Sequence, residues 1–268
     1  MQYDPIKKVL GNVFNRNPFL RKFFFRLLDL LLLRSWHIHK EIRKWKADKG
    51  DNTTILDAGF GFGQYSYYLH TLNKKWNITG IDVKEEQVKD CNEFFNKIGA
   101  GKSVKFIEGD LTLLNKKDLY DLVVCVDVME HIEDDVKVFE NYYASLKDKG
   151  MLLISTPSDK GGSDSHGQEN SFIDEHVRDG YSISDIKEKL NKAGFDKVEV
   201  KYNYGIPGKI SWLISMKIPL KMLNFTKLLF IILPFYYIIA YPVSFILNIF
   251  DTNFKHKSGT GLIVNAWK

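Results

Sequence analysis

Between residues 51 and 204, short apolar runs alternate with stretches whose apolar positions recur every three or four residues. Runs at 53–57, 77–82, 103–108, 121–126, 150–155 and 197–203 read as strands, and the stretches near 64–72, 84–98, 134–147 and 183–193 read as helices. Gly194 is placed as a helix stop. Such alternation implies a mostly parallel sheet with helices on both faces. The sixth strand (Val198 to Tyr202) needs an antiparallel partner, and the closing residues Gly259 to Trp267 supply one. The expected fold is therefore α/β: a seven-stranded, doubly wound, Rossmann-like sheet, mostly parallel, with an antiparallel last strand.

Two segments fall outside this alternation. Asn17-Pro18 is a helix opening, a capping side chain followed by proline at the first helical position. Phe19 to Leu33 is strongly apolar, and the spacing of Arg21, Lys22, Arg26 and Asp29 gathers them near one side. Charges interrupt the run and no small-residue cleavage site follows, so an interfacial amphipathic helix fits better than a signal peptide. The same helix can pack on its own domain as a lid, and the two roles are compatible. Ser35 to Lys49, ending at Gly50, reads as a second helix.

The other segment, Gly205 to Lys257, is far longer than a hairpin connection. Within it, Leu228 to Phe250 runs 23 residues without a charge, enough to cross a bilayer core of roughly 30 Å. A single crossing would strand the seventh strand on the wrong side of the membrane. Lys217, Lys221 and Lys227 before the run and Lys255 and Lys257 after it keep both ends on one side. Pro234 and Pro242 interrupt the helix, and Tyr236, Tyr237 and Tyr241 favour an interface. The expectation is an apolar helical cap that dips into the membrane and returns, roofing the active site. The alternative is a soluble cap covered by residues 19–33 or by a second subunit. Three parts result: N-terminal amphipathic helices (1–50), a catalytic domain (51–204 and 258–268), and the cap (205–257).

Charge sharpens this division. Residues 1–50 carry 12 Lys+Arg against 4 Asp+Glu, and residues 205–257 carry 6 against 1, although the whole chain is only +5. Basic charge thus sits in the two most apolar segments, which points to an anionic membrane surface as partner and away from nucleic acid. Two cysteines among 268 residues exclude a disulfide framework and favour a reducing compartment. The expected location is cytoplasmic, peripheral or monotopic on the inner face of the membrane.

Candidate chemistry begins at Ile55-Leu-Asp57-Ala-Gly59-Phe60-Gly61-Phe-Gly63, a strand, a glycine turn and a helix opening. Glycines admit a ligand close to the backbone. The loop alone is compatible with a nucleotide, S-adenosylmethionine or a plain tight turn. Further acids follow successive strands: Asp82 after the second, where a carboxylate can accept from ribose hydroxyls; Glu108-Gly109-Asp110 after the third, where one can accept from an adenine amine; and Asp127 after the fourth.

Together, Asp57 to Gly63, Gly80-Ile-Asp82, Gly109-Asp110, Asp127-Val-Met-Glu-His131 and Gly150 to Pro157 resemble the successive motifs of class I S-adenosylmethionine-dependent methyltransferases. They are most similar to the branch that includes the ubiquinone-biosynthesis O-methyltransferases. The resemblance covers residues 51–204 and the last strand. It implies S-adenosyl-L-methionine as cofactor, with S-adenosyl-L-homocysteine as product. It further implies that Asp57, Gly59, Phe60, Gly61 and Gly63 line the methionine end, and that Asp82 binds ribose. Val83 and Leu111 would flank adenine, Gly109 and Asp110 would read its amine, and Asp127 would sit near the methionine moiety.

Methyl transfer to a hydroxyl needs a base near neutral pH, which makes histidine the natural choice. His131 follows the fourth strand. His166 and His176 lie in the long polar loop Ser158 to Tyr181, whose length favours a lid. The acids of that loop match no strong metal-ligand spacing, so no metal is expected. The expected activity is methyl transfer to a hydrophobic small molecule or lipid, first at oxygen, then at the nitrogen of an amine lipid head group. A non-enzymatic, cofactor-binding membrane partner is the alternative of another class.

Overall fold

The computed structural model describes residues 17–161 and 177–268. Seven strands form one sheet: β1 (Thr54–Ala58), β2 (Asn77–Asp82), β3 (Val104–Glu108), β4 (Tyr120–Val126), β5 (Leu146–Pro157), β6 (Lys197–Asn203) and β7 (Gly261–Trp267). Their spatial order is β3-β2-β1-β4-β5-β7-β6. β1 to β5 pair in parallel, and β7 inserts antiparallel between β5 and β6. This is the expected doubly wound sheet. β5 starts four residues earlier than the sequence indicates, because Leu146 pairs with Tyr120 ahead of a register shift.

The helices are α1 (Pro18–Leu31), α2 (Leu33–Trp45), α3 (Gln64–Leu72), α4 (Glu85–Lys97), α5 (Asp135–Ser145), α6 (Ile183–Lys192), α7 (Ile206–Trp212), α8 (Ile218–Phe225) and α9 (Leu233–Asn253). Their starts follow local chemistry. The Asn17 side chain accepts from Phe19 N at 2.8 Å, and Asp134 and Ser182 cap α5 and α6 the same way. Alternation along the central strands divides the core in two. Leu56, Val123, Cys125, Leu152 and Ile154 face α5 and α6, whereas Ile55, Leu122, Val124, Met151 and Leu153 face the side lined by α2, α3 and α4.

α1 docks on the body, and it does so with an unexpected face. Arg21, 2 % exposed, donates to Phe62 O (2.8 Å), Asp90 O (3.2 Å) and Cys91 Sγ (3.0 Å), with its guanidinium over the Phe94 ring. Its charge is therefore satisfied inward instead of joining Lys22 and Arg26 on a polar outer side. Phe19, Phe23 and Leu30 are left exposed. The expectation that the four charged residues share one side is corrected: the carbonyl oxygens of Phe62 in the glycine turn and Asp90 within α4 give Arg21 better partners than solvent.

The insertion is a helical cap: α7, a π-helical turn (Leu213–Lys217) and α8 run outward, and α9 returns. Asn203 pairs with Gly261, so the two ends of the cap close on adjacent strands of one sheet. The 21 residues of α9 span about 31 Å, and this closure excludes a single crossing by α9 alone.

Candidate active site

In a doubly wound sheet the ligand lies beyond the carboxyl ends of the strands where the order reverses, which here is the β1/β4 boundary. β1 delivers Asp57 and the glycine turn to that point, and β4 delivers Asp127. Gly59, Gly61 and Gly63 all adopt positive φ (69°, 54° and 77°). A Cβ on Gly59 would fall 2.3 Å from Val128 Cγ2, whereas one on Gly61 meets nothing within 4 Å. Gly59 therefore serves packing, and Gly61 presents bare backbone to open space. Asp82 holds this turn: its carboxylate accepts from Gly61 N (3.2 Å) and Lys84 N (3.1 Å) and keeps further lone pairs for a ligand.

The structure separates residues that look alike in sequence. Asp57 is buried, accepts from Ser66 Oγ at 2.6 Å, and is pushed up to about 6 by burial. It fixes the start of α3. The Phe60 side chain is also buried, 4.5 Å from Phe106 centroid to centroid, so only its backbone faces the turn. Val83 is exposed beside Asp82, whereas Leu111 is turned into the core. Asp110 is exposed and accepts from Thr112 N (2.8 Å) and Oγ1 (2.7 Å), and Gly109 N donates to Asp82 O.

Asp127 adopts a left-handed backbone (φ 52°), rare for a residue with a side chain. It pairs with Arg34 from α2. Arg34 is the main residue that the sequence did not reveal: it ends an apolar run, and nothing local shows that it reaches β4. Its Nε is buried without a hydrogen bond, and its backbone N donates to Tyr204 OH at 3.1 Å. Around it, Gln64 Nε2 donates to Asp29 Oδ1 (2.6 Å) and Ser35 Oγ (3.0 Å), and Ser35 Oγ lies 3.4 Å from Tyr65 OH. The N-terminal helices thus wall the site directly.

His131 is exposed at the end of the turn Met129–His131, beside Asp127. Its neighbour Glu130 is buried, which raises its pKa, and accepts from Thr156 Oγ1 at 3.2 Å. His166 and His176 lie outside the described residues. The ends of their loop are anchored: Tyr181 N donates to Pro157 O (3.0 Å), and Arg178 Nη1 donates to Met129 O (2.9 Å). Among the described residues no group of three or more metal-ligating side chains occurs.

Residues 49–194, more than half of the chain, match the family model described as a methyltransferase domain. The chain belongs to this family. It carries a methyltransferase domain. Among curated proteins it is similar to the ubiquinone biosynthesis O-methyltransferase of Rickettsia felis, 29% identical over 102 residues covering 38% of this chain and 40% of that protein. It is also similar to phosphoethanolamine N-methyltransferase 1 of Triticum aestivum, 29% identical over 157 residues covering 57% and 30%. The methyltransferase spans at most about half the length of the curated relatives first in similarity. Among solved structures, Haemonchus contortus phosphoethanolamine N-methyltransferase 2 in complex with S-adenosyl-L-methionine matches with a TM-score of 0.60 and 20% identity, over 87% of this chain and 52% of that one. That likeness shows the shared fold.

The residues present fit S-adenosyl-L-methionine, the ligand of that solved structure. The Gly61 backbone is open, Asp82 and Asp110 stand at consecutive strand ends, and a buried guanidinium nitrogen of Arg34, beside Asp127, is unpaired.

Proposed function

We propose that this methyltransferase acts at a membrane surface on a hydrophobic small molecule or lipid, with oxygen as the first acceptor atom. The observation that carries the membrane part is the inverted polarity of α9. Its buried residues are Ala240, Ser244, Asn248 and Asp251, whereas Phe235, Ile238, Ile239, Val243, Ile246 and Phe250 face outward. Small and polar residues between helices with apolar residues outside is the arrangement used where the surroundings are lipid. Inside the cap, Ser211 Oγ donates to Asn248 Oδ1 (2.6 Å), and Tyr236 and Tyr237 donate to Ile214 O and Ser215 O. Lys209, Lys217 and Lys221 on the same insertion suit anionic head groups.

In this reading residues 51–204 and 258–268 are the catalytic domain, the helices of residues 17–50 wall it, and 205–257 cap it at the inner face of a cytoplasmic membrane. The cap rests on α2, through Asp251, Trp36 and Lys40, and α2 carries Arg34 to the site. Asp57 and the glycines shape the methionine end, Asp82 takes the ribose, Val83, Gly109 and Asp110 form the adenine slot without the Leu111 side chain, which the core takes, and Asp127 with Arg34 orients the methionine group. S-adenosylmethionine supplies an activated methyl on a sulfonium with a good leaving group. The chain's own task is to position the acceptor, exclude water and move one proton. His131 takes that proton from a hydroxyl acceptor.

Transfer to an amine head group is the second reading. The similarity to a phosphoethanolamine N-methyltransferase supports it. Incubation of full-length protein with labelled donor and a lipid extract tests the activity. Label is expected in the organic phase, and label confined to water-soluble products would refute a lipid acceptor. Flotation with anionic vesicles tests the surface: folded protein that stays at the bottom of the gradient removes the membrane part.

A further inference from the structure

A cavity of about 420 Å³ lies between α1, α2 and α9, lined by Asp29, Trp36, His39, Lys40, Arg43, Ile249, Thr252 and Asn253. Apart from Asp29, which Gln64 links to the network around Arg34, these residues lie outside the candidate donor site. Its charge is bipolar. Lys40 Nζ donates to Thr252 O (2.6 Å) and Asn253 Oδ1 (2.9 Å), which leaves one of its three protons uncommitted. Among the described residues Arg43 makes only a long bond, to Tyr68 OH at 3.4 Å. Neither cation has a carboxylate at ion-pair distance among the described residues. On the acid side, Asp29 accepts one bond, from Gln64, and burial raises it to about 6.

Between the two ends sits His39. Its ring stacks on Tyr68 at 3.5 Å, and burial with the charge of Arg43 lowers it to about 3, so it is neutral. Its Nε2 is buried without a hydrogen bond and lies 3.4 Å from Asp29 Oδ1. The pocket therefore holds two under-used cations, a carboxylate, an aromatic face and a buried ring nitrogen in search of a partner.

We propose that this pocket binds a zwitterionic phosphate–ammonium head group, with the phosphate on Lys40 and Arg43 and the ammonium on Asp29 and the Trp36 ring. A bare anion would meet Asp29, and a bare cation would meet Lys40 and Arg43. A group carrying both charges pairs with each, and His39 Nε2 supplies a hydrogen bond between them. The head group belongs to a lipid: Ile249 lines the cavity and is exposed on the apolar side of α9, and Trp36 packs edge-on against Phe245 at 5.1 Å. Acyl chains can follow that face outward. This last step rests on the membrane-surface reading, whereas the head-group site does not.

The test is calorimetric titration of the full-length protein with glycerophosphoethanolamine and with glycerophosphoglycerol, the same phosphate without the ammonium. Saturable binding of the first is expected. Asp29→Asn and Arg43→Ala should each weaken it roughly tenfold or more, the size of a lost charged hydrogen bond. Asp29→Asn keeps an acceptor for Gln64 and Arg43 is exposed, so both variants should fold, as circular dichroism would verify.

No saturable binding, indifference to both substitutions, or equal binding of the two probes with Asp29→Asn tightening both would overturn the site. Vesicles of phosphatidylethanolamine with anionic phosphatidylglycerol separate the sources. If the protein binds the soluble probe but does not float, the lipid source and the membrane reading fall while the head-group site stands. If it floats without binding the probe, the head-group site falls and the membrane reading stands.

Discussion

Gly59 and Gly61 are two residues apart with similar backbone angles, yet alanine at each should fail in a different way. In Gly61→Ala the added methyl meets no protein atom within 4 Å, so the cost to folding is the left-handed backbone alone, about 1–2 kcal/mol. On the proposed reading that methyl occupies the space the donor would enter, and overfilling of that kind costs about 1–3 kcal/mol, roughly 5- to 150-fold in Kd. In Gly59→Ala the same backbone cost is joined by a clash with Val128 at 2.3 Å, for a total of about 2–5 kcal/mol of stability. Urea unfolding followed by circular dichroism reads the first quantity, and calorimetric titration with S-adenosylhomocysteine reads the second. Adding Val128→Ala should recover part of the stability lost in Gly59→Ala and none of the affinity lost in Gly61→Ala. If Gly61→Ala binds S-adenosylhomocysteine as tightly as the parent, the glycine turn is not the donor cradle. If both alanines cost equal stability, the packing role of Gly59 is wrong.

Three further outcomes are expected. Because burial holds Asp57 near 6, against 3.8 ordinarily, its protonated form is favoured in the fold; its contribution is present below pH 3.8 and lost as pH rises through about 6. Asp57→Asn should therefore leave stability near pH 4 unchanged and raise it by up to about 3 kcal/mol at pH 8, and a flat difference between the two in urea melts would contradict this. Asp251 is fully buried and accepts from Tyr204 N, Gly208 N and both His37 and His256; burial opposes its charge, but the bonds and charges of the histidines lower its pKa. Asp251→Ala should cost about 3–5 kcal/mol and open residues 205–257 to limited proteolysis, whereas the parent cap should loosen only in strong acid, below the ordinary carboxylate range. His131→Ala should cut turnover about 10²- to 10⁴-fold with unchanged S-adenosylhomocysteine affinity if the acceptor is a hydroxyl; near-parental turnover would favour the amine reading.

The sheet was legible because its signals are local. Period-two alternation, glycine turns and capping residues each act within a few positions, and Asp82, Asp110 and Asp127 fall at strand ends as a consequence. Facing was harder. Phe60 sits inside the glycine motif but belongs to the core, since Gly80 leaves room beside Phe106 for its ring. Arg21 reads as an interfacial charge and is the buried anchor of α1. Arg34 enters the site from 93 residues before Asp127 in the chain, and no pattern around it marks that contact. The histidines of α2 divide in the same way: His37 holds the cap through Asp251 at 2.9 Å, and His39 borders a cavity.

The cap and the site are joined through one energetic problem. Burying a large apolar side chain yields roughly 1.5–3 kcal/mol, and the six outward residues of α9, 46–76 % exposed, leave more than half of that unrealised in water, on the order of 5–11 kcal/mol. That is comparable with the net stability of an ordinary domain, about 5–15 kcal/mol. The polar contacts beneath α9 fix its position without making up the difference, because each internal hydrogen bond contributes only about 1 kcal/mol net. Contact with acyl chains would supply that burial, on the element that clamps α2 through His37, Trp36 and Lys40. α2 in turn carries Arg34 to Asp127. On the proposed reading a surface that covers α9 would also firm the wall of the candidate site, and donor affinity should rise when vesicles are present.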